Sequence, residues 1–571
     1  MNDEGSLSLA LIGSGGTGVM SAGQILLDAA AGMGLYGLMT RSYGPQIRGG
    51  EAAAILRLAS EPVQNQDDVL DLLLAFDWSN IERFAAELPL GQNSLVITDP
   101  DQGELPEIIA DTGARVLGVP LRGLTKPVPR GRVNMVGLGL VASLIDLPRE
   151  RLLDIVDRTI GGKGEAALEA ARQCLEVGAT ALEADDAPVL PAARVDSERW
   201  ALSGNEAIGL GALRGGVRFC AAYPITPSTD IVEWLAVELP RIGGYLVQAE
   251  DELATVNMCL GASFGGVPAM TATSGPGLSL MVESIGLAVA TEIPLVVVDV
   301  MRGGPSTGIP TKSEQSDLNI AVYGVHGDAP HLVLAPNGIR DCVTTMQWAV
   351  GLSERLQTPA IVLSDQNMAQ ARAILDAPEL TEFDDRRLLC QQPDESYRRY
   401  EVTADGISPM TLPGDAGGQY TAEGLVHDRQ GRPSSRAEEH LEQLNKQRDK
   451  LLHHDFGARW ADIEGRGPLA VITWGSVTAP IREALVRARE RGLEAKLISV
   501  RVLAPVQVEK MAEALADVER LLVVEQTHSG QFHAYLRANH VLPQNMRVLH
   551  RPGPVPLRPG EILRTLEEIS A

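Results

Sequence analysis

VRFCAAYPITPSTDIVEWLAVEL, residues 217–239, runs from an apolar stretch through a proline-fixed turn into a segment with helical apolar spacing. Val217–Ala222 has the length and composition of a buried strand. Pro224 and Pro227 restrict the backbone of the turn, and Ser228 or Thr229 is expected to cap the helix that follows. A turn serving only as a cap would account for Pro227 and Ser228. It would leave Tyr223 and Thr226, on the same exposed turn, without a role.

The same pattern recurs downstream. Tyr245–Gln248, Ala269–Thr273, Leu295–Val300 and Ala360–Leu363 read as further buried strands separated by helix-period segments. Strands alternating with helices imply a parallel sheet covered on both faces. Gln248-Ala-Glu-Asp-Glu252 places three carboxylates at a strand end. Acidic residues in a helix's first turn complement its dipole, which is a sufficient role for Asp251 and Glu252. Glu250 lies nearest the strand, where sites of α/β sheets are built. Thr271–Gly277 (TATSGPG) forms another strand-to-turn element, in which Ser274 and Gly275 let a ligand approach the backbone. Arg302 opens RGGPSTG at the end of Leu295–Val300, where a guanidinium suits bidentate capture of a substrate carboxylate. A lone loop arginine is an ordinary surface residue; several strand ends facing one crevice favour a site.

Outward from this region, the first 180 or so residues also alternate strand and helix patterns. Gly13, Ser14, Gly15, Gly16 and Gly18 form a glycine-rich turn after the strand Leu7–Ile12 and before a helix at Val19–Ala31. This context suits a phosphate, and close strand–helix packing is the plain alternative. Nicotinamide binding would require an acidic residue at the end of the next strand; Arg41 stands there instead. Arg41 and Arg48, flanking Ser42–Gly50 (SYGPQIRGG), fit a ligand with several phosphates such as coenzyme A, or are solvated surface arginines. Glu183–Arg199 is acidic and proline-punctuated and reads as a linker. From Ala377 to Asp462 periodicity fails except near Arg436–Leu452, so that stretch is expected to wrap over a neighbour or to be partly mobile. Alternation resumes at Leu469–Trp474 and continues through Lys496–Val500 and Leu521–Glu525.

Composition narrows the function class. The 571 residues carry a net charge of −25, which excludes nucleic acid and anionic membranes as partners of a clustered basic surface. With 44% hydrophobic and 22% charged residues the chain can bury several cores. Five scattered cysteines with no Cys-x-x-Cys pair argue against a cluster or metal site held by this chain alone. No signal-like N-terminus or long apolar run is seen, so the chain reads as cytoplasmic.

The motifs YPITPST, LVQAE, TSGPG and MRGGPSTGIPTKSEQSDL together closely resemble the alpha subunit of 2-oxoacid:ferredoxin oxidoreductases. GSGGTG and SYGPQIRGG are similar to the gamma subunit of the same complexes, and WGS (Trp474–Ser476) with VVEQTHSGQ (Val523–Gln531) to the transketolase C-terminal domain. The resemblance implies a multi-domain α/β chain: a gamma-type domain (1–185), a doubly wound pyrimidine-binding domain of the thiamine-diphosphate type (198–376), a connecting segment (377–465) and a transketolase C-terminal-like domain (466–571). It implies oxidative decarboxylation of 2-oxoglutarate with coenzyme A to succinyl-CoA and CO2, reducing ferredoxin, in a reversible reaction that can also run toward carbon fixation. The gamma-like fusion and Pro413–Arg432 are similar to the 2-oxoglutarate branch of the family, and enzymes of broader 2-oxoacid specificity share the fusion.

By the same resemblance thiamine diphosphate lies between this chain and a beta subunit that holds Mg2+, the diphosphate and a 4Fe–4S cluster, in a dimer of alpha–beta pairs. Tyr223, Pro224, Ile225, Glu250, Ser274 and Gly275 would contact the coenzyme, with Glu250 bonded to the pyrimidine ring. Thr226, Arg302 and Thr311 would hold the substrate carboxylate. Gly13, Ser14, Gly15, Gly16, Arg41 and Arg48 would contact coenzyme A. Rival readings are a transketolase-type transferase, disfavoured by the lack of a Gly-Asp-Gly diphosphate motif, a non-catalytic coenzyme A-binding scaffold, and a nicotinamide dehydrogenase.

Overall fold

The computed structural model describes residues 5–44, 50–182, 187–192, 199–383 and 385–570. The chain forms two compact units. The first comprises residues up to Ser203 together with Gln370–Ala377 and Pro554–Glu561. The second holds Gly204–Ala369, Pro378–Gly553 and the last residues.

The first unit is built on one eight-stranded sheet, ordered β6-β5-β4-β1-β3-β2-β14-β7. Its strands are β1 (Ser6–Ser14), β2 (Tyr36–Tyr43), β3 (Glu51–Ala59), β4 (Leu72–Ala75), β5 (Leu95–Thr98), β6 (Arg115–Gly118), β7 (Trp200–Ser203) and β14 (Arg372–Leu375). β1, β4, β5 and β6 run parallel, as alternation with helices requires. The all-parallel expectation fails at β3, which inserts antiparallel between β1 and β2. All nine residues of β3 are buried, so no polar face marks it as antiparallel. A strand covered on both sides looks like a parallel one in sequence. The linker at Glu183–Arg199 falls largely outside the described residues.

The second unit carries the sheet read from residues 217–239. β8 (Phe219–Ala222), β9 (Tyr245–Gln248), β10 (Ala269–Thr273), β11 (Leu295–Met301), β12 (Leu332–Leu334) and β13 (Pro359–Asp365) pair in parallel. Their order, β9-β8-β10-β11-β13-β12, reverses direction between β8 and β10. Such a switch point opens a crevice at the carboxyl ends of the strands, because successive helices leave to opposite faces. β10, β11 and β13 are buried throughout.

A second sheet in this unit runs β15-β17-β16-β19-β20, from β15 (Ala461–Gly465), β16 (Leu469–Trp474), β17 (Lys496–Val500), β19 (Arg520–Glu525) and β20 (Asn545–His550). β18 (Val502–Ala504) leaves it to pair antiparallel with β12. The motif glutamine Gln315 joins the two sheets: its Nε2 donates to the Trp474 carbonyl at 2.8 Å and its Oε1 accepts the Gln526 amide at 2.9 Å. The WGS and EQT motifs thus receive a structural role. Glu525 likewise caps the helix Gln531–Asn539, accepting the amides of Phe532 and His533 at 2.9 and 2.8 Å.

The long connecting segment packs on its own chain, over the end of the helix Gly275–Thr291. Glu292 closes that helix in the left-handed region at φ 53°, a conformation that normally favours glycine. Its side chain is fixed instead. Lys446 and Lys450, on the helix Ala437–Leu452, donate to its two carboxylate oxygens at 2.7 and 3.1 Å, and Arg399 donates to its carbonyl at 2.8 Å. All four side chains are at most 2% exposed. Burial alone would raise the Glu292 pKa, but Lys446, Lys450 and Arg399 prevail and hold it at about 2. A carboxyl ionised more readily when folded than when unfolded stabilises the fold above its unfolded pKa, and that contribution fades as pH falls from the ordinary carboxylate range toward 2. Glu292→Gln leaves three cations buried without their counter-charge, which is expected to destabilise this unit by about 3–5 kcal/mol in denaturant titrations. No helix among the described residues is long and apolar enough to cross a membrane.

Candidate functional site

Four chain segments meet at the switch-point end of the second unit. After β8, Tyr223 is 39% exposed on the expected turn. Pro224 is exposed, Ile225 and Thr226 half-buried, and Pro227 and Ser228 buried. The expected hydroxyl cap is absent, because Ser228 Oγ turns back to donate to the Ile225 carbonyl at 2.9 Å and no side-chain cap bond forms. Asn205, fully buried, donates to the Pro227 carbonyl at 2.9 Å and holds the turn from behind.

After β9, the three carboxylates separate sharply. Glu250 is exposed and makes no hydrogen bond or ion pair within the described residues. Asp251 caps the helix Glu252–Phe264 by accepting the Ala254 amide at 2.7 Å. Glu252 is only 6% exposed and lies against Gly277. A Cβ at Gly277 would stand 2.0 Å from Thr273 Oγ1 and 2.7 Å from Glu252 Cγ, so only glycine lets the two segments close. The carboxylate left without a partner at the strand end is Glu250, the residue to which the sequence argument gives the site, whereas Glu252 is set into the protein beside the glycine-rich turn.

After β10, Ser274 is fully buried with its hydroxyl unpaired, and Gly275 begins the next helix. After β11, Arg302 is 7% exposed. Its Nη1 donates to the Thr226 carbonyl, tying the ends of β11 and β8 together across β10, while Nε has no partner. Burial pulls its pKa down, against the pull of Asp317 and Asp299. The 303–312 turn is closed by Gly303 N–H to the Lys312 carbonyl at 2.9 Å and Ile309 N–H to the Gly303 carbonyl at 2.8 Å. It is pinned at its base by Ser313 Oγ donating to Asp365 at 3.0 Å. Thr311 is buried on this loop. Two aspartates behind Arg302, Asp299 and Asp317, carry no role in the sequence argument; one is hidden within an apolar strand and the other looks like a helix cap.

The glycine-rich turn of the first unit is built differently from a phosphate cradle. Ser14 donates through its amide and hydroxyl to Asp77 at 3.0 and 2.8 Å, and the Gly15 amide donates to the Gly50 carbonyl at 2.6 Å. Two of the amides a phosphate would use are therefore committed, and a carboxylate stands beside them. Gly13 is packed within 3.2 Å of Phe76 by any Cβ it might carry, and Gly16 adopts φ 99° in open space. Arg41 lies inside β2, not at its end, with its Nε buried and unpaired. Arg48 lies outside the described residues.

With these elements in place, the chain can be set beside known proteins. Residues 210–446 match the family described as pyruvate flavodoxin/ferredoxin oxidoreductase, thiamine diP-binding, and residues 8–181 the pyruvate ferredoxin/flavodoxin oxidoreductase family. The alpha subunit of 2-oxoacid:ferredoxin oxidoreductase 2 from Aeropyrum pernix is 30% identical over 613 aligned residues, covering 93% of each chain. The 2-oxoglutarate synthase subunit KorA of Methanothermobacter marburgensis is 36% identical over 376 residues, 65% of this chain and 99% of that one. A solved 2-oxoglutarate:ferredoxin oxidoreductase from Magnetococcus marinus, with 2-oxoglutarate, coenzyme A and succinyl-CoA bound, superposes with a TM-score of 0.91 at 33% identity over the full length of both chains. Sheet order, strand-end motifs and full-length relatives agree: this chain belongs to the alpha subunits of the 2-oxoacid:ferredoxin oxidoreductase family.

Proposed function

We propose that this chain supplies the aminopyrimidine half of a thiamine-diphosphate site, completed by a beta subunit, and that the assembled enzyme converts 2-oxoglutarate, coenzyme A and oxidised ferredoxin to succinyl-CoA, CO2 and reduced ferredoxin. The observation that carries this reading is the closed chain of contacts around the switch point, from Glu252 to Gly277 and from Arg302 to the Thr226 carbonyl. The residues present fit the coenzyme's ring: a carboxylate at Glu250 that this chain leaves unpartnered, an unpaired buried hydroxyl at Ser274 and a glycine turn open to close approach. Bound there, the coenzyme serves as the electron sink that makes loss of CO2 from a 2-oxoacid feasible.

In this reading Glu250 accepts or shares a proton with the pyrimidine ring nitrogen, a bond strengthened once the beta subunit closes the site to water. Tyr223, Pro224 and Ile225 form the wall against which the ring lies. Arg302 offers its guanidinium to the substrate carboxylate, supported by Thr226 and Thr311. Mg2+, the diphosphate and the 4Fe–4S cluster belong to the beta subunit, and two alpha–beta pairs make the assembly. Coenzyme A is the acyl acceptor.

Co-purified with its beta subunit, the protein should turn brown and reduce a low-potential dye with 2-oxoglutarate and coenzyme A, whereas this chain alone should do neither. Equal rates with every member of a 2-oxoacid panel would replace the 2-oxoglutarate assignment by broad specificity. Cluster absorbance in the isolated chain would overturn the division of labour between subunits.

A further inference from the structure

Asp299 sits on β11, three residues before Arg302, and is fully buried. Neither of its oxygens receives a hydrogen bond from a donor group. What meets it is another carboxyl, that of Asp317: Asp299 lies opposite Thr273 across β11 and β10, and Asp317 packs against Gly275 two residues farther on, where its carboxyl acts on Asp299. Two carboxylates are both acceptors, so this contact is a hydrogen bond only when a proton lies between them.

The surroundings decide where the remaining charge resides. Gly275, the first residue of the helix Gly275–Thr291, presses on Asp317: a Cβ there would stand 2.6 Å from each carboxyl oxygen. A helix N-terminus favours the ionised form of its neighbour. The anion therefore rests on Asp317 and the proton on Asp299. Arg302 acts on both carboxyls and is the cation that balances the pair.

We propose that Asp299 and Asp317 hold one proton between them as positioning residues for Arg302, and that binding of the substrate carboxylate draws a second proton into the pair from solvent. The proposal rests on the reading that Arg302 receives that carboxylate. Before binding, one shared negative charge neutralises the guanidinium. An arriving anion competes for the same cation. Protonating the pair releases Arg302 to the substrate and keeps the pocket neutral, at the expense of one proton per molecule bound.

The titration directions agree with this arrangement. Burial, then the charge of Asp317, pushes Asp299 well above the usual carboxylate range. Burial, then Glu314, raises Asp317 to about 6, against the opposing pull of Arg302. The other charged groups facing the pair are few. Glu314 on the same loop is accompanied by His528. Lys312, also on the loop, is engaged elsewhere. Glu252 lies across the glycine turn beside Gly277.

Uptake of one proton makes substrate affinity fall by up to about tenfold per pH unit above pH ~6. In the alpha–beta complex, KM for 2-oxoglutarate should rise accordingly between about pH 6 and 8. Asp299→Asn puts a permanent donor where the proton rests and should keep the steep profile, because Asp317 can still take up the second proton; Asp299→Asn combined with Asp317→Asn leaves no carboxyl to do so, and its KM profile should become flat. A profile in the double variant as steep as that of the unmodified enzyme overturns the proposal. A second readout does not depend on activity: the isolated chain at pH 8 should show the infrared band of a protonated carboxyl, weakened in Asp299→Asn. An unchanged band overturns the shared proton. Absence of any 2-oxoacid-dependent reduction in the unmodified complex would instead sink the substrate reading, with the infrared result still deciding the pair.

Discussion

Glu250→Gln in the alpha–beta complex should lower turnover by about two to three orders of magnitude, the usual consequence of losing one preorganised polar contact at a reacting centre. Glu250 stands exposed in this chain, so glutamine there leaves the fold intact. What is removed is the charge and the capacity to share a proton with a ring nitrogen. Steady-state dye reduction with saturating 2-oxoglutarate and coenzyme A checks this directly. Unchanged turnover in Glu250→Gln would refute the assignment.

The second large effect is expected at Arg302. Arg302→Ala removes a charge-assisted contact worth about 1.5–3 kcal/mol, so KM for the 2-oxoacid should rise by about 10- to 100-fold. Arg302→Lys should recover little, because the ammonium cannot at once donate to the Thr226 carbonyl and present a second, coplanar donor to substrate. It also leaves the Asp299–Asp317 pair facing a mobile cation in place of a fixed planar one. Wild-type KM in the Ala variant would place the substrate carboxylate elsewhere.

Much of this architecture can be read from sequence because α/β strands announce themselves as short apolar runs closed by turn residues. β9, β10, β16 and β17 fall on the very residues expected for them. What is hidden follows from burial. β3 has no polar face, and so nothing in its composition distinguishes an antiparallel insertion from another parallel strand. The connecting segment lacks a hydrophobic stripe since it is held by polar contacts, chiefly Glu292 with Lys446, Lys450 and Arg399, whose members are far apart in sequence. Asp299 looks like an isolated polar interruption of VVVDVM until the fold brings Asp317 beside it.

The three carboxylates after β9 divide by burial. β9 ends at Gln248, Glu250 turns outward, Asp251 is consumed by the cap, and Glu252 is the first carboxylate to face back into the protein. The glycine-rich turn is less legible: its spacing matches a phosphate loop, and its Ser14 is bonded to Asp77, more than sixty residues away in sequence.

The central claim is that this chain carries half of a shared coenzyme site, and calorimetric titration of thiamine diphosphate with Mg2+ tests it most directly. Run against this chain alone, the beta subunit alone and the two together, the titration should show one coenzyme per alpha–beta pair only in the mixture, with weakened binding when Glu250 is replaced by glutamine. Stoichiometric binding by this chain alone, or binding in the mixture that is indifferent to Glu250, would contradict the account.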